Sequence, residues 1–208
     1  MYGLPANTEL SRQLSKERVF TQFKVNRAAQ DAFNADISTM FISNHISEAT
    51  VPGLKPGKKV LGIYVLTLNL KHPGCDKKNL ELLAKAIPQN MVFALALDGT
   101  VQFAVYYENL YATKPIKAEN AKLELQGTDL DEVWEGLIKS IGNIAIEGEN
   151  TLVEQIAADD ARDALQKKIE NLKAKAYKEK QPRRKRELIN QVKELEKKLQ
   201  NATPKKED

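Results

Sequence analysis

Apolar residues recur along the first two-thirds of the chain with two different periods, and the switches between them lay out the elements. Asn7 or Thr8 is placed to cap a short helix through Leu14, and Ser15 to cap a second one carrying Val19, Phe20 and Phe23. After Asn26, a further capping residue, Ala29, Phe33, Ile37 and Phe41 return at every fourth position with Met40 beside them, which predicts one helix with a buried face. Pro52, Gly53, Pro56 and Gly57 break regular structure, so Asn44 to Lys59 reads as a loop. Val60 to Leu70 then reads as a strand, apolar on both faces at first and alternating afterwards, and Pro73-Gly74 ends it.

The next helix opens at Asp76, turns Leu80, Leu83 and Ile87 inward, and stops at Pro88. Met91 to Leu97 is an unbroken apolar run of strand length, and Asp98-Gly99 is a hairpin signal, because a type I′ turn needs positive φ at both central residues. Val101, Phe103, Val105 and Tyr107 alternate in the returning strand, and Leu123 to Gln126 is read as one more short strand. Thr128 precedes Asp131 as in a capping box, and Leu130, Val133, Trp134, Leu137, Ile138 and Ile141 follow helical spacing, with the single tryptophan expected to anchor the core. Helices interspersed with hairpin-connected strands predict an α+β fold with a small mixed or antiparallel sheet over residues 1–145.

Residues 146–150 read as a linker, and Thr151 to Glu154 as a second capping box opening a long helix. Leu165, Ile169, Leu172 and Ala176 step by four, three and four residues, as do Leu188, Val192, Leu195 and Leu199. The two series are out of phase and Pro182 sits between them. Two arrangements fit: an antiparallel helical hairpin over 151–201 turning near Lys180-Gln181, or two coiled-coil segments pairing with another chain. Residues 202–208 read as a disordered tail.

Charge changes this picture most. Residues 1–161 carry 16 Lys and Arg against 20 Asp and Glu, whereas residues 162–208 carry 16 against 8, so a core of net −4 precedes a tail of net +8. A patch of that sign attracts polyanions, nucleic acid first among them; the alternative is a solvated hairpin rich in Lys and Glu. Arg183, Arg184, Lys185 and Arg186 are the sharpest feature, with Lys175 and Lys178 nearby, and they are the candidate nucleic-acid contacts. One cysteine excludes an internal disulfide, and the opening residues resemble no signal peptide, so the expectation is a cytoplasmic protein without a membrane span.

Catalytic chemistry is thinly represented. His72, Cys75 and Asp76 are close in sequence but too few for a closed zinc site, and nothing marks Cys75 as activated. No Gly-rich phosphate loop precedes a helix. A metal-dependent nuclease needs an Asp and a Glu-x-Lys on adjacent strands; here the strand ends Asn69-Leu70-Lys71, with an amide where the carboxylate belongs. Neither metal nor cofactor is therefore expected. Thr67, Asn69, Lys71, Gln102 and Tyr106 are read as a candidate groove, with partial solvent exposure as the competing explanation.

Several segments together, Leu4 to Glu9, Leu68 to Lys71, Leu82 to Pro88 with Met91 to Phe93, Leu130 to Trp134, and Glu179 to Gln181 with Glu187-Leu188, resemble the bacterial and archaeal domain-of-unknown-function family 4391 over nearly the whole chain. The resemblance implies an accessory protein often encoded near helicases and DNA methyltransferases of restriction or phage-defence type. It also implies a carboxylate at the position of Asn69 and a Thr-x-Trp where Thr113-Lys114-Pro115 stands, and this chain departs from both. The resulting expectation is a non-enzymatic accessory module with a protein partner, with a divergent nuclease and a self-associating structural protein as alternatives.

Overall fold

A computed structural model describes residues 1–202, which form two compact units, 1–144 and 145 onward. The first is an α+β unit built on a mixed sheet of seven strands. β1 (Glu9–Gln13), β2 (Ile37–Ile46), β3 (Ile63–Leu70), β4 (Asn90–Leu97), β5 (Thr100–Tyr107) and β6 (Asn109–Ala112) lie in that spatial order, and β7 (Ile116–Lys117) pairs with the other end of β5. All neighbours are antiparallel except β3 and β4, which are parallel and joined by the crossover helix α3 (Lys77–Ala86). The Asp98-Gly99 turn between β4 and β5 has positive φ at both residues, 43° and 75°, as a type I′ turn requires.

One face of the sheet presents Leu66, Leu68, Phe93, Leu95 and Ala104 to α1 (Lys16–Gln22), α2 (Arg27–Asp36) and α3. Phe20 of α1 meets Phe33 of α2 edge-on with ring centroids 5.3 Å apart, and Phe33 is wholly buried. The other face carries Val65, Val92, Ala94 and Phe103. There Tyr2 meets Phe103 edge-on at 5.4 Å, and α4 (Leu130–Gly142) packs its stripe of Val133, Trp134, Leu137 and Ile141 inward.

Three expected elements change. The residues expected as a helix through Leu14 form a single 3₁₀ turn at Ala6–Thr8 and then β1, because the Thr8 hydroxyl is buried beneath β2 and accepts from Asn44 Nδ2 at 2.9 Å. The helix expected to run past Phe41 stops at Asp36, and β2 occupies residues read partly as helix and partly as loop. Ile37, Thr39, Ile42 and Ile46 are β-branched and favour a strand. Two bulges, between Ile37 and Thr39 and between Ile42 and Asn44, break the alternation that would have announced it, and they bury the adjacent Ser43 and Asn44 together. Finally, Leu123 to Gln126 joins no ladder; Leu123 is buried and donates its N–H to the Tyr2 carbonyl at 3.0 Å.

The N-cap of α4 is Asp129, one residue beyond the expected Thr128, and it accepts from Glu132 N at 3.0 Å while the Glu132 carboxylate reaches back to Thr128 N at 2.7 Å. Asp131 is thereby released to accept from the backbone N–H groups of Lys58, Lys59 and Val60 at 2.8–3.1 Å. Burial pushes its carboxyl up, but those three bonds and the Lys59 charge outweigh it and hold the group below its ordinary value.

In the second unit α5 (Leu152–Lys178) opens with the expected capping box of Thr151 and Glu154, and α6 (Pro182–Ala202) begins on Pro182. Three residues connect the helices. Lys173 Nζ lies 2.7 Å from Glu196 Oε1, a contact that a single continuous helix would forbid, so the pair folds back as an antiparallel hairpin. Ile169, Ala176 and Val192 are buried on its seam. The expected disordered tail falls, from residue 203 on, outside the described residues.

Candidate nucleic-acid interface

Two places hold most of the residues that the sequence singles out: a corner of the sheet and the tip of the hairpin. At the corner, β2 begins, β3 ends and α3 begins, because the antiparallel register sets Ile37 opposite Leu70. Asp36, Asn69 and Lys71, which a metal-dependent nuclease would need to aim at one cation, are thus neighbours, but each is committed elsewhere. The Asp36 carboxylate accepts from Asp76 N at 2.7 Å and from the buried Asn79 Nδ2 at 2.8 Å, and His72 Nε2 lies 3.3 Å from its other oxygen. Asp76 itself caps α3 by accepting from Lys78 N at 3.0 Å, and Asp36 lies beside that helix start, where the dipole favours an anion. Asn69 donates across the ladder to Thr39 Oγ1 at 2.8 Å. Lys71 Nζ donates to the Asn34 carbonyl at 2.6 Å, and Lys16 Nζ to the Asn34 side chain at 3.1 Å and the Ile37 carbonyl at 2.5 Å. Burial, reinforced by the Lys71 charge, holds the Lys16 ammonium below its ordinary pKa.

Among the described residues no group of three or more His, Cys, Asp and Glu side chains is arranged to hold a metal ion. Cys75 fares no better as a nucleophile. Burial first, then the charges of Asp36 and Asp76, push its thiol up to about 12 despite a hydrogen bond from Asn79. It therefore stays protonated at neutral pH.

The candidate groove does not assemble on one face. Across β3, β4 and β5 the register Thr67–Ala94–Phe103 and Asn69–Ala96–Val101 puts Thr67 and Asn69 on the α4 side, whereas Gln102 and Tyr106 fall on the α3 side with Ala104. Thr67 is buried and bonded to the Tyr2 hydroxyl at 2.9 Å and to Ser43. Gln102 Nε2 donates to the Thr113 carbonyl at 2.6 Å, and Lys85 stands over the Tyr106 ring at 5.8 Å. All four are polar positions of the sheet, but face membership depends on pairing register, which a single strand does not reveal.

The hairpin tip is different. Lys175 and Lys178 lie in the last turn of α5, and Arg183, Arg184, Lys185 and Arg186 in the first turn of α6. All six are exposed. Arg183 makes an ion pair with Glu187 at 3.6 Å, its side chain 94% exposed; the other five have no carboxylate within 4 Å among the described residues. Glu179 is turned back onto Gln181 N at 2.9 Å. Tyr177, 87% exposed, stands among these cations.

Sequence reasoning missed the polar knot at the hairpin's other end. Gln155, 1% exposed, accepts from Glu147 N and Asn150 Nδ2 at 3.0 and 3.1 Å, and Arg162 grips both oxygens of Glu147. Bonding to Arg162 is the largest influence on the Glu147 carboxyl and holds it below its ordinary value, with burial opposing. The signal was slight, since the partners come from a segment that reads as a linker.

These features define a class: an α+β sheet domain carrying a C-terminal helical hairpin with a cationic tip. The chain belongs to the family described as "Domain of unknown function (DUF4391)", whose model matches residues 2–199 and so spans both units. No curated protein and no solved structure matches it. Among the described residues no helix is long and apolar enough to cross a membrane.

Proposed function

We propose that this protein is a non-enzymatic accessory module of a bacterial DNA-handling or phage-defence system, and that it contacts nucleic acid through the tip of its hairpin. The observation that carries the reading is the first turn of α6, where four consecutive cations and no acidic residue meet the positive end of the helix dipole. Cations there oppose the helix they belong to, by about 0.3–1 kcal/mol each at low salt. A polyanion placed against the tip reverses the sign of that interaction, and phosphates suit exposed Arg and Lys. The α+β unit, with the charges of its catalytic-looking corner internally satisfied, is left to dock a protein partner. The intramolecular closure of the α5–α6 seam counts against a role in self-association through those helices. A divergent nuclease is the alternative, and metal-dependent cleavage abolished by Lys71→Ala would restore it.

The test is fluorescence anisotropy of a labelled duplex with the full chain and with a variant in which Arg183, Arg184, Lys185 and Arg186 are all replaced by Gln. The expected loss is about 10²- to 10³-fold at low salt, with the dependence of log affinity on log salt reduced by about 3 to 4. Equal binding by both proteins, or none by the parent at low salt, would reject the reading and direct the search to protein partners.

A further inference from the structure

The first unit contains a cleft that neither the corner nor the tip uses. It opens between β1, α1 and the exposed end of the β2–β3–β4 face, with a volume of about 560 Å³. That lies in the range of small-ligand sites. Its floor is apolar, made by Leu14, Ile42, Leu66 and Met91. One wall is the cross-strand pair His45 and Tyr64, stacked at 4.4 Å with 10° between the rings. Gly62 leaves room for this stack, since a Cβ there would meet His45 Nε2 at 2.7 Å. Burial lowers the His45 pKa, so the imidazole is uncharged at neutral pH. The rim carries Arg12 and Arg18, both exposed, neither with a carboxylate within 4 Å among the described residues. Among the described residues no acidic side chain lines the cleft. Leu10 and Phe23 stand at its mouth 50% and 37% exposed.

We infer that this cleft binds a mononucleotide unit, its phosphate held by Arg12 and Arg18 and its base laid against the aromatic wall and apolar floor. Two guanidinium forks match the several oxygens of a phosphate. An uncharged aromatic pair above an aliphatic floor suits a flat ring of any sequence. An extended peptide adding to the β1 edge fits less well. The chain kinks there, Ser11 having φ 47° beside a register shift between Glu9 and Arg12, and such a bulge blunts strand addition.

The inference is independent of the hairpin reading, so it is tested in the full chain with the four tip residues already changed to Gln. The probe is the fluorescent mononucleotide mant-AMP, competed with AMP, with inorganic phosphate, with a 5′-phosphorylated oligothymidylate and with dodecanoate. Saturable 1:1 binding is expected, at least about tenfold weaker in Arg12→Gln plus Arg18→Gln, with unchanged circular dichroism confirming the fold. Tyr64→Leu is expected to weaken mant-AMP while leaving competition by inorganic phosphate unaltered. Stronger competition by the oligonucleotide supports the site and assigns it a strand terminus; stronger competition by AMP supports it and assigns a free nucleotide. No saturation up to about 1 mM, equal binding by the double variant, or preferential displacement by dodecanoate would overturn it.

Discussion

The two ends of the C-terminal hairpin treat positive charge in opposite ways. At the base, Arg162 is held by Glu147 and Asp159 at 2.5–3.1 Å and is largely covered, its side chain 20% exposed. At the tip, Arg183 is 94% exposed and the next three cations have no acid within 4 Å among the described residues. Both ends belong to one helical unit, but their sequences differ in sign: residues 147–163 carry six Asp and Glu against one Arg, whereas residues 173–186 carry eight Lys and Arg against one Glu. Between Glu170 and Glu194 the chain places nine Lys and Arg with only Glu179 and Glu187 among them. Acids were available to the fold and were used where charge holds structure together. At the tip only Arg183 finds one, Glu187 at 3.6 Å, and under the proposed function the remaining counter-charge comes from an outside polyanion.

The sheet corner behaves like the base, and this yields the largest expected effect. Asp36→Ala leaves the Asp76 N–H and the buried Asn79 amide without their acceptor. A cost of about 2–4 kcal/mol is expected, read as a lower denaturation midpoint in urea. A loss below about 0.5 kcal/mol would mean that the corner is held loosely enough to rearrange around a ligand, and the contrast with the tip would blur. Gln155→Ala should cost about 1–3 kcal/mol, because that buried side chain accepts two hydrogen bonds, from Glu147 N and Asn150 Nδ2, and donates a third to Asp159. Circular dichroism at a helical wavelength should show the loss, and four glutamines at the tip should show none of comparable size.

How much of this was legible beforehand follows from which interactions are local. The helix starts at Ser15, Asn26, Asp76 and Thr151, the Asp98-Gly99 turn, and the break at Pro182 all express conformational preferences of a few adjacent residues, and they stand where the pattern put them. β2 was hidden because its two bulges destroy the period that identifies a strand, and β1 because every residue in it is exposed on the sheet edge. With both strands unread, the cleft they border was unreadable too. The candidate groove failed for a related reason: polarity is written in each strand, but the shared face is set by register between strands. The tip was legible because a run of cations needs no tertiary partner to be recognised.

The smallest expected effect separates the two ends most sharply, because its sign is unusual. Arg184→Glu replaces a cation in the first turn of α6 with an anion, placing a favourable charge at the positive end of the helix dipole and easing the repulsion within Arg183 to Arg186. The hairpin should gain about 0.3–1 kcal/mol at low ionic strength, and the gain should fade as salt rises. Duplex affinity should fall in the same protein. Removing a structural cation such as Arg162 should destabilise, so a change that stabilises the fold while weakening binding marks a residue placed for an external partner. Thermal melts of the parent and variant at two salt concentrations, run beside the anisotropy titration, read both signs at once. Destabilisation by Arg184→Glu would show that the tip cations serve the hairpin itself, and the two ends would then differ in exposure alone.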